Sequence, residues 1–162
     1  MVSAGSSGFT TYATPNDRDI VITRIVDAPR HIVFEAWTNP SHVPNWLTGP
    51  DGWTMPVCEI DLRPGGAWKY VYRKSDGAEM TLSGAYREID PPARIVFTER
   101  WGPEWPETVN TLVLAETSGR TTITLTVTYV SKEIRDTALL TGMKEGIDMG
   151  FTRLDSLLAS LT

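Results

Sequence analysis

The C-terminal segment constrains this chain most. Met143, Ile147, Phe151, Leu154, Leu158 and Leu161 recur at spacings of 4, 4, 3, 4 and 3, which makes one apolar stripe on an α-helix. Lys144, Glu145, Asp148 and Asp155 occupy the other face. A continuous helix from Lys132 to Leu161 would run about 45 Å, enough to cross a whole sheet. It is the only long apolar helix in the sequence. Any sheet formed upstream must therefore bury its inner face against it.

The upstream sequence reads as strands. Asp19–Val26 is β-branched and bounded by polar residues. Asp27 then offers an N-cap and Pro29 suits a first helical turn, with Ile32, Val33, Ala36 and Trp37 at helical spacing. Pro40 ends that helix, and a second short one is expected over Ser41–Leu47. Six strands follow: Met55–Leu62, Trp68–Arg73, Met80–Ile89, Arg94–Trp101, Thr108–Glu116 and Arg120–Tyr129, separated by Gly, Pro, Asp and Ser turns. The expected fold is α+β, an antiparallel sheet of about seven strands wrapped around the terminal helix, with two short helices plugging one end. Residues 1–18 are expected to be a flexible polar arm and 19–162 one domain.

Composition excludes several functions. The chain has 162 residues, 41% hydrophobic and 22% charged, which is ordinary for one globular domain. A net charge of −5, with no Lys/Arg run to offset it, argues against nucleic acid and anionic membrane surfaces. One cysteine, Cys58, forbids an intrachain disulfide and fits a reducing cytoplasm. With only two histidines besides, it also rules out a Cys/His zinc site. The N-terminus has no basic region leading into an apolar core, so no signal peptide is expected. No cofactor fingerprint, phosphate loop or nucleophile elbow is present. His31 reads as solvated, His42 has no evident partner, and Cys58 reads as a small core residue.

With its elements in this order, the chain resembles the START/SRPBCC superfamily, in the subgroup named after the activator of the heat-shock chaperone ATPase. The carrying residues are Val26–Pro29 into Phe34–Trp37, Asp61–Gly66 before Trp68, and Ser83–Glu88. Asp90–Pro92 with Ile95–Thr98, and Gly142–Gly146 leading to Arg153–Leu158, complete the match over about residues 19–161. The resemblance implies a helix-grip fold that usually encloses a cavity. It supplies no universal catalytic residue, because the superfamily hosts carriers, cyclases and co-chaperones alike.

The residues themselves suggest where such a cavity lies. Trp68, Tyr70 and Tyr72 alternate with Lys69, Val71 and Arg73, so three aromatics share one sheet face. Leu82, Gly84, Tyr86 and Glu88 are likewise in phase, as are Ile95, Phe97, Glu99 and Trp101. The expected wall is Trp46, Trp68, Tyr70, Tyr72, Tyr86, Phe97, Trp101, Met143, Ile147 and Phe151. Such residues either simply pack or bind a small hydrophobic, aromatic molecule. Glu88 and Glu99, if they face that cavity, are candidate proton-transfer groups. Trp101 and Trp105 flank one loop, and Trp46 and Trp53 another, as lids or anchors. Gly142, Gly146 and Gly150 make a bare helix strip for a close neighbour, either protein or ligand.

Three functions follow. The first is reversible binding of a small hydrophobic molecule without a cofactor. The second is a cyclase/aromatase- or hydratase-like enzyme using Glu88, Glu99, Tyr70 and Tyr72. The third is interaction with a chaperone, against which stands the lack of the activator's extra N-terminal domain. An exposed edge strand or aromatic patch would allow a homodimer.

Overall fold

The computed structural model describes residues 10–162. Eight antiparallel strands form one sheet: β1 (Thr10–Ala13), β2 (Asp19–Val26), β3 (Trp53–Ile60), β4 (Ala67–Lys74), β5 (Glu79–Asp90), β6 (Arg94–Trp101), β7 (Thr108–Thr117) and β8 (Arg120–Thr128). Their spatial order is β1-β2-β8-β7-β6-β5-β4-β3. The last six strands are a meander, as the evenly spaced turns require, and each lies within two residues of its expected ends. Helix α1 (Arg30–Thr38) and a 3-10 turn (Val43–Asn45) link β2 to β3, and α2 (Lys132–Leu139) and α3 (Met143–Leu161) close the chain.

Strand β2 shows how the core is specified. Ile20, Ile22, Arg24 and Val26 are buried and their neighbours are partly exposed, the period-2 pattern of a half-buried strand. Arg24 is tolerated among these apolar side chains because it pairs with Asp155 of α3. Its guanidinium also lies 5.3 Å from the centre of the Phe151 ring. Helix α3 packs against α1, α2 and the 3-10 turn. Phe151, Leu154 and Leu158 are its buried apolar residues.

Four expectations need correction. Asp27 does not cap α1. It accepts from Arg120 Nε at 2.6 Å, and Glu116 Oε1 accepts from the Arg30 N–H at 2.8 Å instead. The second short helix is only the 3-10 turn, since Pro44 has no N–H to extend a helical ladder. The terminal helix is two helices. Backbone bonds tighten to three-residue spacing at Leu140 and Thr141, and Gly142 adopts φ +77°, a left-handed conformation that stops α2 and starts α3. Finally, the sheet has eight strands, because Thr10–Ala13 of the expected arm pairs with β2. Tyr12 there donates to Asp148 Oδ1 at 2.8 Å. Residues 1–9 of that arm lie outside the described residues.

Candidate functional site

A cavity of about 480 Å³ separates the inner sheet face from α3. Strand β4 points Trp68, Tyr70 and Tyr72 into it and keeps Lys69 and Arg73 outside. The Trp68 ring lies 4.7 Å from Tyr70 and 5.9 Å from Phe97. This packing needs Gly84, which pairs with Trp68 across the β4–β5 ladder. A Cβ at Gly84 would overlap the Thr98 carbonyl oxygen and stand 2.7 Å from Trp68 Nε1. The space left free lets Trp68 Nε1 donate to Thr98 O at 3.1 Å.

Tyr86 of β5 and Ile95, Phe97, Glu99 and Trp101 of β6 continue the wall. Trp101 is 45% exposed, so it stands at the mouth. Trp105 lines the same region from the following loop. From the other side come Trp37 and Trp46, whose rings meet edge to face at 4.7 Å. Trp46 is fixed by its Nε1 donating to Ala36 O at 2.9 Å. Met143 and Ile147 contribute from α3, with Gly142, Gly146 and Gly150 beside them. The glycine strip also receives protein: Pro50 Cδ would lie 3.5 Å from a Cβ at Gly146, and Trp46 O 3.4 Å from one at Gly150. Arg153 pins this loop by donating to Asp51 Oδ1 at 2.9 Å.

Of the ten expected wall residues, Phe151 alone does not face the cavity. It lies 6.3 Å behind Trp46, nearly parallel to it, and carries Arg24. Glu88 is also misplaced by simple alternation. The register shifts between Tyr86 and Glu88, a β-bulge that turns Glu88 to the outer face. There it is exposed and accepts from Arg94 Nε at 3.1 Å. Glu99 does face the cavity. Tyr129, Asn110 and Thr108 line it too and were not expected. Asn110 left a readable signal, as a polar residue in phase with Leu112 and Leu114 on the buried face of β7.

Among the described residues, Glu99 is the one charged residue of the lining. Burial pushes its carboxyl up from 4.5 to about 7, partly offset by the Trp101 indole, which donates from Nε1 to Oε1 at 2.7 Å. Burial raises Tyr70, Tyr72 and Tyr86 above their ordinary range. Tyr129 is pushed up to about 12 by burial and by the Glu99 charge. Cys58 sits beside Tyr70 in the β3–β4 ladder, half-buried, and burial raises its thiol to about 11. It is therefore a thiol, not a thiolate, at neutral pH. His31 is exposed. Among the described residues no group of His, Cys, Asp and Glu could hold a metal ion, and no helix is long and apolar enough to cross a membrane.

A single antiparallel sheet folded about a C-terminal helix, with aromatic-lined space between them, is the helix-grip architecture. The family model described as activator of Hsp90 ATPase homolog 1-like protein matches residues 27–159, and the chain belongs to that family, within the SRPBCC superfamily. Solved structures agree. A protein from Rhodobacter sphaeroides is 26% identical over 93% of this chain and 98% of its own, with a TM-score of 0.89. One from Nitrosomonas europaea is 25% identical over 91% and 97%, with a TM-score of 0.81. An activator-homolog-like protein from Aeromonas hydrophila, 17% identical over 85% and 93%, shares the fold with a TM-score of 0.68. No curated protein matches in sequence.

Proposed function

We propose that this protein reversibly binds a small, largely apolar, aromatic molecule between the sheet and α3. One observation carries the reading: a space of about 480 Å³ walled by Trp, Tyr and Phe side chains with a few polar groups. Small-molecule sites span roughly 300–1,000 Å³ and share this make-up. Rigid rings bury large areas of ligand at low entropic cost.

The test is the melting temperature against a panel of small aromatic compounds. A ligand at a hundred times its dissociation constant adds about 2.7 kcal/mol, which for a domain of this size raises the melting temperature by roughly 5–10 °C. Dose-dependent rises confined to one chemical class support binding. Flat curves across the panel remove the reading. Glu99, poised near neutrality inside the cavity, favours a second reading in which the bound molecule is also transformed by proton transfer. Recovery of the bound compound unchanged after long incubation decides against that second reading.

A further inference from the structure

Resting on the binding reading above, we infer that the ligand is an apolar amine whose ammonium group seats on Glu99, between Trp101, Tyr70, Tyr72 and Tyr129. Among the described residues the lining has no Lys, Arg or His. Ligand carboxylates or phosphates would meet a like charge and find no counter-ion. A cation meets the reverse.

The local chemistry is built for a donor. Glu99 Oε1 accepts from Trp101, while Oε2 makes no hydrogen bond to protein among the described residues. The Tyr70 and Tyr72 hydroxyls are also without protein partners there, although each residue is only 6% exposed. None of these oxygens is sealed from the cavity space. Hydroxyl and carboxylate oxygens both accept from an ammonium, which brings three N–H donors. The Tyr129 hydroxyl contributes a further acceptor, its only partner among the described residues being Met143 Sδ at 3.9 Å. The surrounding Trp and Tyr faces add cation–π attraction, strongest where water is excluded. A partly buried carboxylate facing apolar walls is costly until it is paired, and a bound ammonium pairs it.

The groups facing Glu99 fix the pH behaviour. Tyr70 and Tyr72 of β4 and Tyr129, just after β8, line the same cavity as Glu99, and all three are neutral near pH 7. Arg135 of α2 is committed elsewhere, to Asn16 O, Asp19 O and Asp136. Thus, among the described residues, no protein cation takes the ligand's place in the lining. Glu99 is largely protonated below neutrality in the empty cavity and ionised above it, so amine affinity rises as pH increases from 6 to 8.

The experiment is calorimetric titration with matched aryl-methyl amines, alcohols and carboxylic acids on phenyl, naphthyl and biphenyl bodies, at pH 8. The expected order is amine, then alcohol, then carboxylate, with the amine about tenfold tighter than its alcohol, the scale of one charge-assisted hydrogen bond. In Glu99→Gln the amine loses that advantage while the alcohol keeps its affinity. A wild-type series at pH 6, 7 and 8 gives the same contrast without a variant: the amine's advantage shrinks at low pH and the alcohol's affinity stays level. Alcohols binding as tightly as amines would overturn the amine assignment and leave the cavity reading standing. No binding by any compound would overturn both.

Discussion

Replacing Glu99 with Gln should stabilise the protein, and only where the carboxyl would be charged. The folded-state value, about 7, lies above the ordinary 4.5. Below about pH 4.5 the carboxyl is neutral in folded and unfolded chains alike, and nothing is lost. As pH rises toward 7 the unfolded chain ionises while the folded one holds its proton, so wild-type stability falls. Above 7 the loss is constant. At about 1.4 kcal/mol per pH unit, a rise from 4.5 to about 7 makes the full loss about 3.5 kcal/mol. This is a ceiling, since water in the cavity screens part of it. Gln keeps the acceptor for Trp101 Nε1 and does not titrate. Urea unfolding of both proteins at intervals from pH 4.5 to 8.5 isolates the effect, because every other titrating group cancels in the difference. The difference should be near zero at the acid end, climb through pH 5–7 and level off at about 2–3 kcal/mol. A difference that stays flat across this range would show that Glu99 is hydrated in the fold, and the desolvation argument would fail.

Gly84→Ala should be severe, at about 3 kcal/mol or more, because its Cβ meets the backbone at Thr98 and the Trp68 ring; a loss below 0.5 kcal/mol in urea unfolding would contradict that packing. Gly146→Ala should instead stabilise α3 by up to about 1 kcal/mol, since Pro50 Cδ leaves an ordinary 3.5 Å contact; a lowered melting temperature would count against it. Asp155→Ala removes one charged partner of buried Arg24, which keeps Thr10 Oγ1, and should cost roughly 2–3 kcal/mol, less than for a fully enclosed pair because Asp155 is 39% exposed. Glu88→Gln should change stability by under about 1 kcal/mol and leave ligand affinity alone, as its pair with Arg94 is exposed; altered affinity would place Glu88 in the cavity after all.

How far the sequence could be read follows from which interactions are local. The stripe Met143–Leu161 and the alternation Trp68-Tyr70-Tyr72 are periodic, so the helix, the meander and one aromatic wall are legible from spacing. Glu88 is not, because one extra residue between it and Tyr86 exchanges the faces, and bulges leave no mark in hydrophobic phase. The break before α3 is carried by Gly142, one glycine of three at equal spacing. Its left-handed φ and the open space around it separate it from Gly146 and Gly150, which lie against Pro50 and Trp46. Phe151 illustrates a different limit. Periodicity says that it faces inward, but whether inward means cavity or core depends on Trp37 and Trp46, which arrive from far along the chain. The β1 pairing rests on Tyr12 and Arg24, also distant partners of α3.

All six tryptophans of the chain, Trp37, Trp46, Trp53, Trp68, Trp101 and Trp105, border the same 480 Å³. No indole elsewhere contributes a background. The intrinsic ultraviolet emission of this protein is therefore a report on one chamber. An occupant that displaces water or accepts excitation energy alters the whole signal at once. The molecule carries its own optical label for whatever enters it.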